Sequence, residues 1–404
     1  MLRKIKYIFA GSLGLLSILS CTAYAQPPEE SYVVIAPQCL LKNLTAQHEL
    51  LSANKEFSLL KINESGLNQL IAAKTNQKVV CGGFVNVTDD WQRNKNFSAT
   101  AFLTQHTLIT ANKINAEYAI QYPTEVKQLL NLLNPQDMWN DLTVLSNFHD
   151  RYAKADSGAE AADWIKTQVE TMVKNNNRDD VKIYTIATGG NYKQPSVIAK
   201  IGTSTDPGIV IGGHMDTLSG IFNNMPGADD DGTGSVTVLE VARTILSSGM
   251  HFKKPIYLIW YSAEEEGLIG SQHVVRDFKT NNIPVDAVMH FDMTGYAAKN
   301  DPTMWLIDDY THPELTEYLA TLIDAYVKEP IKHTRCGYAC SDHATWTQNG
   351  YNAAIAFEAA FESYDPYIHT ANDTMEKLSL SHMTDFAKLG VAFAVELAEP
   401  VSSK

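Results

Sequence analysis

Five residues of this chain, His214, Asp230, Glu265, Asp292 and His369, have the side chains a metal centre needs. They sit in Gly212-Gly213-His214-Met215-Asp216, Gly227-Ala228-Asp229-Asp230-Asp231-Gly232, Ala263-Glu264-Glu265-Glu266-Gly267, Phe291-Asp292 and Tyr367-Ile368-His369-Thr370. Each segment alone has an ordinary explanation. A histidine after a strand can be a hydrogen-bonded core or surface residue. Aspartates at a helix start can cap it, a run of glutamates can be a solvated turn, and Asp292 can simply end a strand. Together they form a set. Imidazole and carboxylate without thiolate suit zinc, with manganese or cobalt as substitutes. Five ligands exceed what one tetrahedral catalytic zinc with an open position accepts. They fit two metals sharing a bridging carboxylate. Asp230 and Glu265 also have acidic neighbours, a crowding that is costly without a cation.

Such a set works only if the fold brings distant segments together. The sequence from about residue 136 reads as strands alternating with helices. Ile209–Ile211, Ile256–Tyr261, Asp286–Phe291 and Ala353–Phe357 are apolar runs of strand length. Helical spacing of apolar residues marks Pro123–Leu133, a stretch beginning after Ser157-Gly158, Gly234–Ser247 and Leu315–Val327. This pattern predicts an α/β fold with a mixed, largely parallel sheet covered by helices on both faces. Ligands of open α/β sheets gather at the carboxyl ends of the strands, and each candidate segment follows a strand or opens the next helix. Residues 26–120 read differently. Short β-prone runs such as Tyr32–Ile35, Phe57–Ile62 and Lys78–Val80 occur there without a recognisable catalytic residue.

The whole chain sets the setting. Its 404 residues exceed one compact domain, and 45% hydrophobic with 19% charged residues fits a globular enzyme. A net charge of -14 without basic stripes argues against nucleic acid as a partner. Arg3, Lys4 and Lys6 precede an apolar stretch from Tyr7 to about Leu19 and then Ala23-Tyr24-Ala25. That is the layout of a secretory signal cut after Ala25. The apolar stretch is short for a membrane span, so the expectation is an exported chain, secreted or periplasmic, without stable membrane association. Cys21, after Leu19-Ser20, is a poor fit to a lipoprotein site. Four further cysteines in an exported chain predict disulfides. The short spacing of Cys336 and Cys340 makes them one pair, leaving Cys39 with Cys81. No CxxC pair favours zinc binding by these four.

Six motifs, GGHMDT, PGADDDGTG, SAEEEGLIGS, HFDMTGY, CGYACSDHATW and YDPYIHT, occur in this order. In them the chain resembles the M28 family of zinc metallopeptidases, over about residues 120–390, and most closely the secreted bacterial leucyl aminopeptidases. The resemblance implies the zinc-dependent exopeptidase fold over residues 121–395, behind a signal at 1–25 and a small α+β propeptide at 26–120. It implies two zinc ions per chain. His214 and Asp292 would hold one, Glu265 and His369 the other, and Asp230 would bridge them. Asp216 would orient His214, and Asp231 would follow Asp230 through a cis peptide. Glu264 would be the general base, acting on a metal-bridged hydroxide. The residues alone do not separate Glu264 from Glu265. Tyr338 would donate to the developing oxyanion, held by the Cys336–Cys340 bridge. Met293, Ile355, Phe357, Phe361, Tyr364 and Ile368 would form an apolar pocket for leucine-like side chains. The implied partners are the N-termini of peptides or proteins, and the implied chain is a monomer.

Rival readings are distinguishable. Carboxypeptidases and deacylases share two-metal logic, and glutaminyl cyclases resemble this family with a single zinc. A receptor-like module would have lost its ligands, whereas this sequence keeps all five together with Glu264.

Overall fold

A computed structural model describes residues 30–74, 81–107, 118–221 and 223–401. The signal expected at residues 1–25 and the β-prone run Lys78–Val80 lie outside the described residues. No described helix is long and apolar enough to cross a membrane.

The first unit is small and mixed. Strands β1 (Ser31–Pro37), β2 (His48–Ala53), β3 (Phe57–Asn63) and β4 (Val85–Asn86) pair antiparallel in the order β2-β3-β1-β4. The helices Glu64–Lys74, Thr88–Arg93 and Ala99–Thr107 accompany the sheet. Val34 and Leu60 face one apolar cluster, and Val33 and Leu59 face another, as the alternation of side chains along a strand requires. A disulfide joins Cys39 to Cys81.

The second unit carries eight strands. They are β5 (Val181–Ile186), β6 (Ser196–Ile201), β7 (Gly208–His214), β8 (Ile256–Tyr261), β9 (Val285–Phe291), β10 (Met304–Ile307), β11 (Ile331–Thr334) and β12 (Ala353–Phe357). Their order is β11-β10-β12-β9-β7-β8-β6-β5. The centre, β12-β9-β7-β8, is parallel, and antiparallel pairing appears only towards the flanks, beyond β12 and β8. The parallel strands are near-continuous apolar runs because helices cover both faces. Along β7 and β8, Ile209, Ile211, Leu258 and Trp260 pack on one side against Gly234–Ser247 and Leu380–Ala398. Val210, Ile259 and Tyr261 pack on the other side with Val274, Phe278 and Trp346.

Element types follow the sequence pattern, and several limits differ. The helix read as Pro123–Leu133 spans Pro123–Leu130. Ser157-Gly158 lies inside the helix Asp156–Asn175 rather than before it. The stretch Leu315–Val327 divides into an α-helix, Pro313–Leu322, and a wider turn, Ile323–Val327. Asp230 does not sit in a regular helix start. Asp230 and Asp231 have non-helical backbone angles, and a cis peptide joins them.

Candidate metal centre

The carboxyl ends of the central parallel strands bring the five ligand candidates together. His214 is the last residue of β7, and Asp292 immediately follows β9. Glu265 lies in the turn after β8, and His369 lies in the loop after β12. Two groups result, His214 with Asp230 and Asp292, and Asp230 with Glu265 and His369. In each, one ligand atom per residue lies within 4.8 Å of the others. Asp230 belongs to both. Its Oδ1 is 3.1 Å from His214 Nε2, and its Oδ2 is 3.0 Å from His369 Nε2. Glu265 Oε2 stands 3.2 Å from His369 Nε2, and Asp292 Oδ1 is 3.7 Å from His214 Nε2. A carboxylate with one oxygen turned to each half is what a bridging ligand requires.

Backbone carboxylate contacts hold this arrangement. Asp216 Oδ1 accepts from the Glu264 N–H at 3.0 Å, and its Oδ2 from the Glu265 N–H at 3.2 Å. Its Oδ1 is also 3.5 Å from His214 Nδ1. Asp231 accepts from the N–H groups of His214, Gly234 and Met293, so it ties β7, the next helix and the end of β9. Two motif glycines make room for it. A Cβ on Gly234 would lie 2.2 Å from Asp231 Oδ1, and one on Gly213 would lie 2.9 Å from Asp231 Oδ2. Ala263, Met293 and His369 adopt φ values of 51°, 59° and 59°. Non-glycine residues rarely take that region, and such strain gathers at functional sites.

Glu264 and Glu265 are not parted by strand alternation, because β8 ends at Tyr261. The turn beyond it separates them. Glu265 joins the metal group, whereas Glu264 faces the cleft beside Asp230, Asp292 and His369. That cleft, about 220 Å³, is also lined by Met293, Ile355, Phe357, Phe361, Tyr364 and Ile368, and by Tyr338. The six apolar candidates and Tyr338 share one side-chain cluster with Cys336 and Cys340, which are bridged.

The electrostatics call for cations. Burial disfavours the Asp230 carboxylate, but hydrogen bonds with His214 and His369 outweigh that and hold it below the usual range. Burial likewise opposes a charge on His369, yet Glu265 and Asp230 push it up to about 10. Burial, reinforced by Glu265 and Asp292 and opposed by Lys74 and His214, pushes Glu264 well above the ordinary carboxyl range. Mixed imidazole and carboxylate donors, convergent and buried, fit two zinc ions.

Three contributors escaped the sequence reading. Asp373, four residues after His369, accepts from the Asp229 N–H at 2.7 Å and the Asp230 N–H at 3.1 Å. Arg151 is buried and donates to the carbonyls of Met215, Pro226 and Gly227, fixing the loops around two ligands. Neither residue lies in a metal-ligand pattern, although Asp373 follows YDPYIHT closely enough to have been considered. Lys74, in the unit where no catalytic residue was recognised, reaches Glu265 Oε2 at 3.1 Å.

Known proteins resemble this chain in sequence and fold. The description "Peptidase family M28" fits residues 196–394. A protein named leucine aminopeptidase 1 from Fusarium vanettenii is 34% identical over 77% of this chain and 84% of its own length. The chain belongs to peptidase family M28. The crystal structure of the Legionella pneumophila LapA aminopeptidase is 42% identical, with a TM-score of 0.84 over 93% of this chain and all of that one. LapB from Legionella pneumophila is 39% identical, with a TM-score of 0.84 over 92% of this chain. Both extend over most of the N-terminal unit as well as the sheet, so the fold of this M28 member is that of solved relatives.

Proposed function

We propose that this metallo-aminopeptidase is an exported enzyme that uses two zinc ions to remove N-terminal residues with apolar, leucine-like side chains. The observation that carries the reading is Asp230, whose two oxygens face histidines of different ligand groups. His214 and Asp292 would hold one ion, Glu265 and His369 the other, and Asp230 would serve both. Zinc in such a site supplies a water that ionises near neutrality and a polarised carbonyl.

The protein does the rest. Glu264 lies in the cleft outside both ligand groups, and burial raises its proton affinity, so that its carboxylate is a stronger base than an exposed one. It is suited to take a proton from the attacking water and deliver it to the leaving amine. Asp216 fixes Glu264 and Glu265 through their N–H groups. Tyr338, on the cleft wall, is suited to donate its O–H to the carbonyl oxygen as charge develops. Met293, Ile355, Phe357 and Phe361 are nearly buried and line the cleft beside the acids, where an apolar side chain is accommodated. Its α-ammonium then lies at the acidic end. We assign residues 26–120 as a propeptide that covers this cleft.

The test compares wild type with Glu264→Gln for zinc content and leucyl-anilide hydrolysis. The variant keeps about two zinc ions and loses about 10²–10⁴-fold in rate. An unchanged rate removes Glu264 from its role, and one zinc per chain returns the reading to a single-metal enzyme. Faster cleavage of lysyl than of leucyl anilide overturns the apolar preference.

A further inference from the structure

The N-terminal unit does more than lie next to the catalytic one. Lys74 ends the helix Glu64–Lys74 and points into the cleft, with its side chain 9% exposed. Its Nζ donates to Glu265 Oε2 and to the Glu265 carbonyl oxygen, both at 3.1 Å. Lys74 lines the same cleft as Glu264, Asp230 and the apolar pocket, together with Gly82, Gly83 and Phe84 of its own unit. The contact is built rather than incidental. Gly82 lies flat against the Tyr338 ring, where an added Cβ would stand 2.5 Å from a ring carbon. The Asn86 N–H donates to the Gly267 carbonyl at 3.1 Å, and Gln272 Nε2 donates to the Asn86 carbonyl at 3.0 Å. Arg276 pairs with Asp89 at 3.1 Å. These contacts seat the unit on the turn that carries Glu264 and Glu265.

A lysine ammonium is a primary amine carrying a positive charge, as is the N-terminus of a peptide. We propose that Lys74 is an internal competitor for the substrate's α-ammonium, so that the docked N-terminal unit closes the site with an amine of its own. The inference rests on the aminopeptidase reading, because only an enzyme that recognises an α-amine is blocked in this way. A bulk shield would need no cation. A buried lysine is costly unless it is paired, and Lys74 is paired within the acidic cluster that the substrate must also reach. The apparent affinity for an amine ligand is then the intrinsic affinity multiplied by the fraction of chains in which the lysine is withdrawn.

The test uses the zinc-loaded full chain and L-leucine as probe, with binding read by calorimetry and leucyl-anilide hydrolysis measured beside it. Lys74→Met keeps the aliphatic stem and removes the charge. It is expected to bind leucine roughly tenfold or more tightly than wild type and to lower KM by a similar factor. Arg276→Glu leaves Lys74 in place and repels Asp89, loosening the unit from a distance. It is expected to shift leucine affinity the same way by a smaller factor, which keeps the idea testable if Lys74→Met folds poorly. Equal leucine affinity in wild type and Lys74→Met, with hydrolysis intact, overturns the competitor. Weaker binding in Lys74→Met also overturns it, and would make Lys74 a substrate contact. Zinc-loaded variants that neither bind leucine nor release it from the anilide would instead sink the aminopeptidase reading.

Discussion

The two ligand groups of the candidate metal centre are built from different materials. His214 and Asp292 stand at the ends of β7 and β9, adjacent parallel strands in the middle of the sheet. The His214 side chain is 1% exposed. Glu265 and His369 come from a turn and a loop, and the His369 side chain is 16% exposed. The first half inherits its position from the strand ladder and the packed core. The second depends on local ties, chiefly Asp373 reaching back to the Asp229 and Asp230 N–H groups. The second is also the half that Lys74 touches. The rigid half sets the frame, whereas the loop-borne half is the one open to the N-terminal unit and to substrate.

Breaking the shared member should erase the distinction. Asp230→Asn removes a ligand from both halves and leaves an amide that cannot bridge. Zinc content is expected to drop from about two to about one or fewer per chain, and leucyl-anilide hydrolysis to fall to background. Two bound zinc ions in this variant, by elemental analysis, would show that Asp230 does not join the halves.

A smaller change should separate them. Asp373→Asn keeps the shape and removes the carboxylate that accepts from the bridging segment. The loop-borne half is expected to lose about 10–100-fold in zinc affinity, with the strand-borne half little changed. Titration against a chromophoric chelator resolves the two affinities, and an equal loss at both would break the comparison.

The smallest effect concerns what lies behind the strand-borne half. His290 on β9 and His343 are fully buried there, their rings 6.1 Å apart. Burial pulls His343 down to about 3. In the unfolded chain it would titrate near 6.5, so the unfolded state takes up the proton first. The stability that depends on neutral His343 is therefore full above about pH 6.5 and is lost as pH falls from there towards 3. At pH 5 that loss is about 2 kcal/mol relative to pH 7. Thermal unfolding of wild type and His343→Leu in saturating zinc, at both pH values, should show the variant losing less. Identical losses would mean that another group controls acid sensitivity here.

Much of this was readable in the chain. Periodicity placed β7, β8, β9 and β12 because parallel strands covered on both faces must be continuously apolar. Residue type and motif order supplied the five ligand candidates, which the structure gathers into two groups, and the six pocket candidates, which line one cleft. The limits of elements were less legible. A helix pattern does not reveal where backbone bonding widens, as at Ile323–Val327, or where it breaks, as at Asp230 and Asp231.

The sequence by itself determined the donor set, and with it the chemistry, because imidazoles and carboxylates keep their metal preference wherever the fold puts them. Only the tertiary structure decided the partition. Which oxygen of Asp230 meets which histidine, and which of Glu264 and Glu265 joins the metals, depends on angles set by a turn at Ala263 and by strand order. Arg151 and Lys74 were invisible for the same reason. Each acts on backbone groups or on a neighbour distant in sequence, and such contacts leave no pattern along the chain until it folds.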